Sequence, residues 1–197
     1  IADETQTIET IQDELTDWEN DKEVEPDFVL TKRQEWDILK QNDIPFYPFY
    51  EAFEFQKGID EEEQKILQNV LFESGILSSV VVGKEDEEQA ASFASVLRYH
   101  PKKNKNLNEV LHAVGNPELN EVLKGISFEK QEDAYVLGDG TFQTSFVKGK
   151  SSLYNESVFI GRAARENVRI KKIEELKTLL RTHEEFKAGF EQAVKKH

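Results

Sequence analysis

With 197 residues, 32% of them charged and only 38% hydrophobic, the chain has room for one ordinary domain plus extensions, and its low apolar fraction fits much exposed rod. It contains no cysteine, which excludes a disulfide framework and a thiolate metal site and is compatible with a reducing cytoplasm. No apolar run approaches the roughly 18 residues that span a bilayer, no signal peptide is visible, and a start on Ile1 with methionine wholly absent reads as a segment of a longer protein.

The formal charge of −14 is unevenly spread. Residues 1–27 carry eleven acids and one base, Lys22, while residues 165–197 carry nine bases and six acids. That leaves −7 for residues 28–164, a stretch long enough to bury a core of its own. An acidic first helix beside a basic last one has a favourable field. Exposed ion pairs are worth only about 0–1 kcal/mol each, so the asymmetry bears on orientation more than on stability.

Residues 2–24 read as a helix without Gly or Pro, ended by Pro26. Ile1, Ile8 and Leu15 recur every seven residues, and Ile11 and Trp18 supply the second seam position. Thr31 is a candidate cap for a helix to about Gln41, with Trp36 and Leu39 on its buried side. Pro45 and Pro48 hold the next residues extended. Alternation over Phe49–Phe55 predicts a strand.

Asp60 and Glu63 form a capping box for a helix carrying Ile66, Leu67, Val70 and Leu71, and Gly75 stops it. Val80-Val81-Val82 reads as a short central strand. A basic loop, Pro101 to Asn106, precedes two predicted short helices, Leu107–Val114 and Pro117–Lys124, the second capped by Asn116. Ile126–Phe128 and Ala134–Leu137 read as strands, and Gly138-Asp139-Gly140 as the turn into a strand over Thr141–Val147. From about Gly161 a long helix follows. Leu176, Leu179, His183, Phe186, Phe190 and Ala193 take alternating three- and four-residue steps along it.

Motifs for chemistry are scarce. His100, His112, His183 and His197 include no pair at helical ligand spacing, so no metal site is expected. Glu61-Glu62-Glu63 suits the first turn of a helix, and Glu85 to Glu88 reads as a solvated run. There is no Gly-x-Ser-x-Gly elbow and no Walker A motif, so any ATP hydrolysis by a parent protein falls outside this segment. An enzyme with a site built on Asp139 or His112 is the least favoured reading.

Lys102, Lys103 and Lys105 are the one basic cluster of the middle, a candidate DNA contact or simply a soluble loop. Gly161-Arg162-Ala163-Ala164-Arg165 sets two small residues between two arginines at a helix start. That pattern suits a joint between a globular domain and a rod, with the arginines forking onto oxygens beneath, and it equally suits an ordinary helix start.

The run Ser157-Val158-Phe159-Ile160-Gly161-Arg162-Ala163-Ala164-Arg165-Glu166 resembles the end of the hinge domain of the MukB-type bacterial condensins, as do Tyr50-Glu51-Ala52-Phe53 and Ser79-Val80-Val81-Val82. A closer resemblance is to the SMC-like JetC subunits of Wadjet anti-plasmid systems. It runs from Ile44-Pro45 through Tyr50–Phe55 and Leu71–Val82 to the Gly-Arg-Ala-Ala-Arg stretch. The glycine-rich dimer strands of common SMC hinges are not evident, so no dimer-interface residues are carried over.

The resemblance implies an α/β or α+β hinge, a small mixed sheet with packed helices, flanked by an antiparallel coiled-coil pair. The expected division is 1–27 as one arm stub, 28–164 as the hinge and 165–197 as the other stub. Ile8, Ile11, Leu15 and Trp18 are expected to face Leu176, Leu179, Leu180 and Phe186. The resemblance further implies a cytoplasmic, nucleoid-associated homodimer within a DNA-handling ATPase, for chromosome maintenance or plasmid defence. No cofactor, small-molecule substrate or membrane partner is expected. The competing reading is a coiled-coil adaptor whose middle binds another protein without self-associating.

Overall fold

The computed structural model describes residues 2–20, 22–131, 133–152 and 157–195, except for the side chain of Ala2. Ile1 and His197 lie outside the described residues. The chain is α+β, with small antiparallel sheets and packed helices. It divides into two compact units, a helical one from Ile1–Val24 and Arg165–His197 and a globular one from Glu25–Ala164.

The globular unit opens with helix α2 (Val29–Gln41), following α1 (Ala2–Glu19) of the helical unit. Its Trp36 and Leu39 are buried. Thr31 does not cap it. The helix starts at Val29, and the Thr31 hydroxyl instead donates back to the Phe28 carbonyl at 2.7 Å.

Phe49–Phe55 is not one strand. Strand β1 (Phe46–Pro48) is followed by a single helical turn, α3 (Phe49–Ala52), and then by β2 (Phe53–Phe55). Strict alternation would expose every second residue, yet Phe49, Tyr50, Ala52 and Phe53 are all buried. The turn points all four inward, with Phe49 and Phe53 rings 4.8 Å apart.

Helix α4 (Glu61–Glu73) carries the capping box, with the Glu63 amide donating to Asp60 at 2.9 Å and the Asp60 amide to Glu63 at 3.0 Å. Gly75 follows at φ +82°, the left-handed conformation that a glycine adopts at no steric cost. Strand β3 (Val80–Val82) pairs antiparallel with β1, and Val80 also forms a parallel bridge to Val96. All three valines are fully buried.

A 3-10 turn (Lys84–Asp86) leads into α5 (Glu87–Ala91). The predicted helix Leu107–Val114 is instead a 3-10 turn (Leu107–Glu109) followed by strand β4 (Leu111–Ala113). Pairing with β2, Phe53 opposite Ala113 and Phe55 opposite Leu111, overrides the local helical pattern. Asn116 caps the next turn (Pro117–Leu119) through the Glu118 amide, and α6 (Asn120–Lys124) continues it.

Ile126–Phe128 forms only one bridge, Ser127 to Asn106, and no strand. A third sheet comprises β5 (Tyr135–Val136), β6 (Thr141–Gln143) and β7 (Lys148–Lys150). Thr141–Val147 is therefore shorter than predicted. Its end is a tight turn in which the Thr144 hydroxyl accepts from the Phe146 and Val147 amides.

Helix α7 (Arg162–Lys195) closes the chain. No helix among the described residues is long and apolar enough to cross a membrane.

One polar side chain organises the exit of the globular unit. Gln68 is buried in the middle of α4. Its amide nitrogen donates to the Ser157 carbonyl at 2.8 Å, and its oxygen accepts from the Phe159 amide at 2.7 Å and the Ile160 amide at 3.4 Å. Substituting Gln68→Leu removes the side-chain partner of the Ser157 carbonyl and of the Phe159 and Ile160 amides. Chemical denaturation is expected to show a loss of about 2–3 kcal/mol.

Candidate hinge and arm contacts

The joint stretch begins inside the globular unit. Gly161 is buried, at φ +93°, and its amide donates to the Tyr50 carbonyl at 3.2 Å. A Cβ there would lie 3.1 Å from the Glu54 Cγ, so both conformation and space favour glycine. Arg162 and Ala163 are exposed, and Ala164 and Arg165 are half-buried. The boundary between the two units falls between Ala164 and Arg165.

In the helical unit α1 and α7 run antiparallel. Glu4 pairs with His183, Glu14 with Lys172 at 3.4 Å, and the Trp18 carbonyl with Arg169, so numbers rise along one helix as they fall along the other. This register sets Ile11 level with Leu176, and these two are 6% and 3% exposed. Ile8 is also buried, while Leu15, Trp18 and Leu180 are half-buried.

Leu179 and Phe186 behave otherwise, remaining 44% and 65% exposed. Two overlapping heptad frames run through Leu176 and His183. The packed frame passes through Arg169, Ile173, Leu176, Leu180 and His183. Leu179, Phe186 and Phe190 belong to the other frame and stay partly exposed, and Phe186 and Phe190 line a shallow cavity with Asp3 and Glu4 of α1.

Arg169 makes a fork onto carbonyls. Its Nε donates to the Trp18 carbonyl at 2.9 Å and its Nη2 to the Glu19 carbonyl at 3.0 Å, while Nη1 holds Glu166 at 2.9 Å. The last carbonyls of a helix lack internal partners and carry its negative dipole end. The last turn of α1 contains no basic residue of its own. Arg169 supplies the missing cation from the other helix, and α1 accordingly stops at Glu19, short of the predicted Val24. Lys22 lies over the Trp18 ring at 4.9 Å, adding a cation–π contact at the same end.

The basic loop is fixed by its backbone. The Lys103 amide donates to the Lys124 carbonyl at 2.9 Å, and the Lys105 carbonyl accepts from Phe128 at 3.0 Å. Lys102 and Lys105 are exposed and Lys103 is half-buried.

Of the residues considered for catalysis, Asp139 caps its turn, accepting from the Thr141 amide at 2.9 Å and hydroxyl at 2.6 Å. The Thr141 hydroxyl and then its amide hold the carboxyl below the usual carboxylate range. That contribution is therefore present above the ordinary carboxylate pKa and is lost as pH falls through the lowered one. His112 lies 3.9 Å from Glu54 across the β2–β4 pair.

Two substitutions test this geometry. Arg169→Met is expected to destabilise the helix pair by about 2 kcal/mol. Helicity measured by circular dichroism should fall, and Arg169→Lys should recover only part of it. Gly161→Ala should cost about 1–3 kcal/mol in denaturant unfolding through its left-handed φ.

No family model matches the chain. No curated protein matches it. Among solved structures it is similar to the Pyrococcus furiosus Smc hinge domain with an extended coiled coil, at 16% identity and TM-score 0.43, over 98% of this chain and 85% of that one. It is also similar to an asymmetric dimer of the Geobacillus stearothermophilus SMC hinge domain, at 15% identity and TM-score 0.37, over 99% of this chain and 91% of that one. Both likenesses are distant.

Proposed function

We propose that the chain is the dimerising hinge of an SMC-like, DNA-handling ATPase, with α1 and the greater part of α7 as stubs of its arms. The observation that carries this reading is the antiparallel pairing of helices from the two ends of the chain. Arg169 binds the Trp18 and Glu19 carbonyls although some 150 residues intervene. A chain that leaves and returns along one helix pair, with a compact unit in between, has the connectivity of a hinge. The sequence resemblance of the Gly161–Arg165 stretch and the segments before it supports the same reading. It favours the MukB-like and JetC branch, and with it loop extrusion in chromosome maintenance or plasmid defence.

The chemistry is mechanical. In this reading the task of the globular unit is to pair with a second copy and transmit load into the arms. The arms' opposite charges set orientation, as in Glu14–Lys172 and Glu19–Lys177. The exposed Lys102 and Lys105, with Lys103, are the proposed DNA contact, and a cytoplasmic, nucleoid-associated setting follows from that role.

Sedimentation velocity tests the pairing. The mass of two chains is expected, falling towards one chain on dilution. A single-chain mass at every concentration would favour the adaptor and overturn the hinge. For DNA, gel shifts at several salt concentrations should show weaker binding by a Lys102→Glu, Lys103→Glu, Lys105→Glu variant. The log–log salt slope should shrink by about 2–3, as expected for the loss of three phosphate contacts.

A further inference from the structure

Two features of the globular unit remain without a role, and each has what the other lacks. The first is a cleft of about 650 Å³ between the loop after β3 and the turn before α6. Tyr47 and Tyr99 line it, together with Glu85, Asp86, Glu118 and Glu121. Pro45 and Pro101 add apolar wall, and Lys84 and His100 also line it.

Glu121 is paired with Lys124, whereas Glu85, Asp86 and Glu118 make no ion pair with any described residue. Their field converges. Burial first, and then Glu85, Glu87, Glu118 and Glu121, push the Tyr99 phenol above its ordinary value. The phenol itself is tied to the Val82 carbonyl at 2.8 Å, so its ring is a fixed wall.

The second feature is the tip of the β6–β7 hairpin. Phe146 is 98% exposed and Val147 55%. An aromatic ring held out of contact forfeits a large hydrophobic contribution and is the residue type that anchors interfaces. The tip is well formed, because the Thr144 hydroxyl caps the Phe146 and Val147 amides. Lys148 and Lys150, both exposed, follow in β7, and the Lys150 charge also acts on the Asp139 carboxylate. The lysines also guard β7, an outer strand of its sheet, against edge-to-edge pairing, which leaves the tip as the part available for docking.

We infer that the β6–β7 hairpin of one copy docks in the acidic cleft of a second copy, Phe146 against the Tyr47 and Tyr99 walls and Lys148 and Lys150 towards Glu85 and Glu118. Charge selects the occupant. A tip bearing two cations and an aromatic ring matches a cleft with unpaired carboxylates and aromatic walls, and Phe146 is not seated in its own chain's cleft. Under a two-fold axis both hairpins engage at once and the assembly closes at two chains, whereas an unclosed arrangement would grow into filaments. The inference deepens the hinge reading and rests on its dimer.

The test is a charge swap on the full 197-residue chain, read by sedimentation equilibrium. Variant one carries Lys148→Glu and Lys150→Glu, and variant two carries Glu85→Lys and Glu118→Lys. Each alone sets like charges against like, and its dimer dissociation constant should rise about tenfold or more. Mixed together, both contacts regain opposite charges, and a heterodimer of near wild-type affinity should form. Misfolding of either variant could not produce that rescue. Phe146→Ser should weaken the wild-type dimer by about tenfold while leaving the circular dichroism spectrum unchanged. Wild-type dimers with all variants equally dimeric would overturn the docking and leave the hinge intact. A wild-type chain that never dimerises would overturn the hinge itself.

Discussion

The exit of the globular unit depends on one buried amide. Val158 and Ile160 of the exit segment are buried, so the backbone there needs partners away from water. Backbone that leaves water without partners loses about 1–3 kcal/mol per group. Gln68 offers a donor and an acceptor on one planar group, and so serves the Ser157 carbonyl together with the Phe159 and Ile160 amides. The next amide, Gly161, goes to the Tyr50 carbonyl. With these bonds made, the segment enters α7 at Arg162 in a single conformation, which requires the positive φ of Gly161.

The helical unit relies on polar ends more than on apolar area. Among its described residues the deeply buried seam side chains are Ile8, Ile11 and Leu176. At about 1.5–3 kcal/mol for a fully buried aliphatic side chain, so small a seam leaves register weakly specified. Specific bonds therefore choose it. Arg169 on the Trp18 and Glu19 carbonyls fixes one end, and His183 with Glu4 fixes the other. These bonds select the frame through Leu180 over the equally apolar frame through Leu179.

What could be read from the sequence divides along the same line. The Asp60–Glu63 capping box, the Gly75 stop and the Asn116 cap were legible because their signals are local and their partners lie within a few residues. The α3 turn and strand β4 were not, because β4 exists through residues some 58 positions away in β2. Gln68 did leave a signal. Gln64, Leu67, Gln68 and Leu71 share one helix face, and an amide on a buried stripe needs a distant partner. Arg169 left one too, since extending the Leu176–Leu180 frame backwards places an arginine in the seam. The sequence predicts strand through the hairpin tip, over Thr141–Val147, whereas Phe146 and Val147 lie in a turn. The exposure of the tip is a property of the turn that the Thr144 hydroxyl closes.

The charge balance constrains how such a chain can self-associate. A −7 middle repels its twin at long range, and at 0.1 M salt that repulsion is screened beyond about 10 Å. Pairing through a uniformly acidic face would bring carboxylates together at short range, where screening is weakest. A contact that places the Lys148–Lys150 cations against the Glu85–Glu118 carboxylates reverses the sign locally while the net charge stays the same. Such an arrangement keeps the middle soluble and discourages unselective pairing. It also leaves the Phe146 ring, covered only in such a contact, to supply the affinity and the charges to supply the choice of partner.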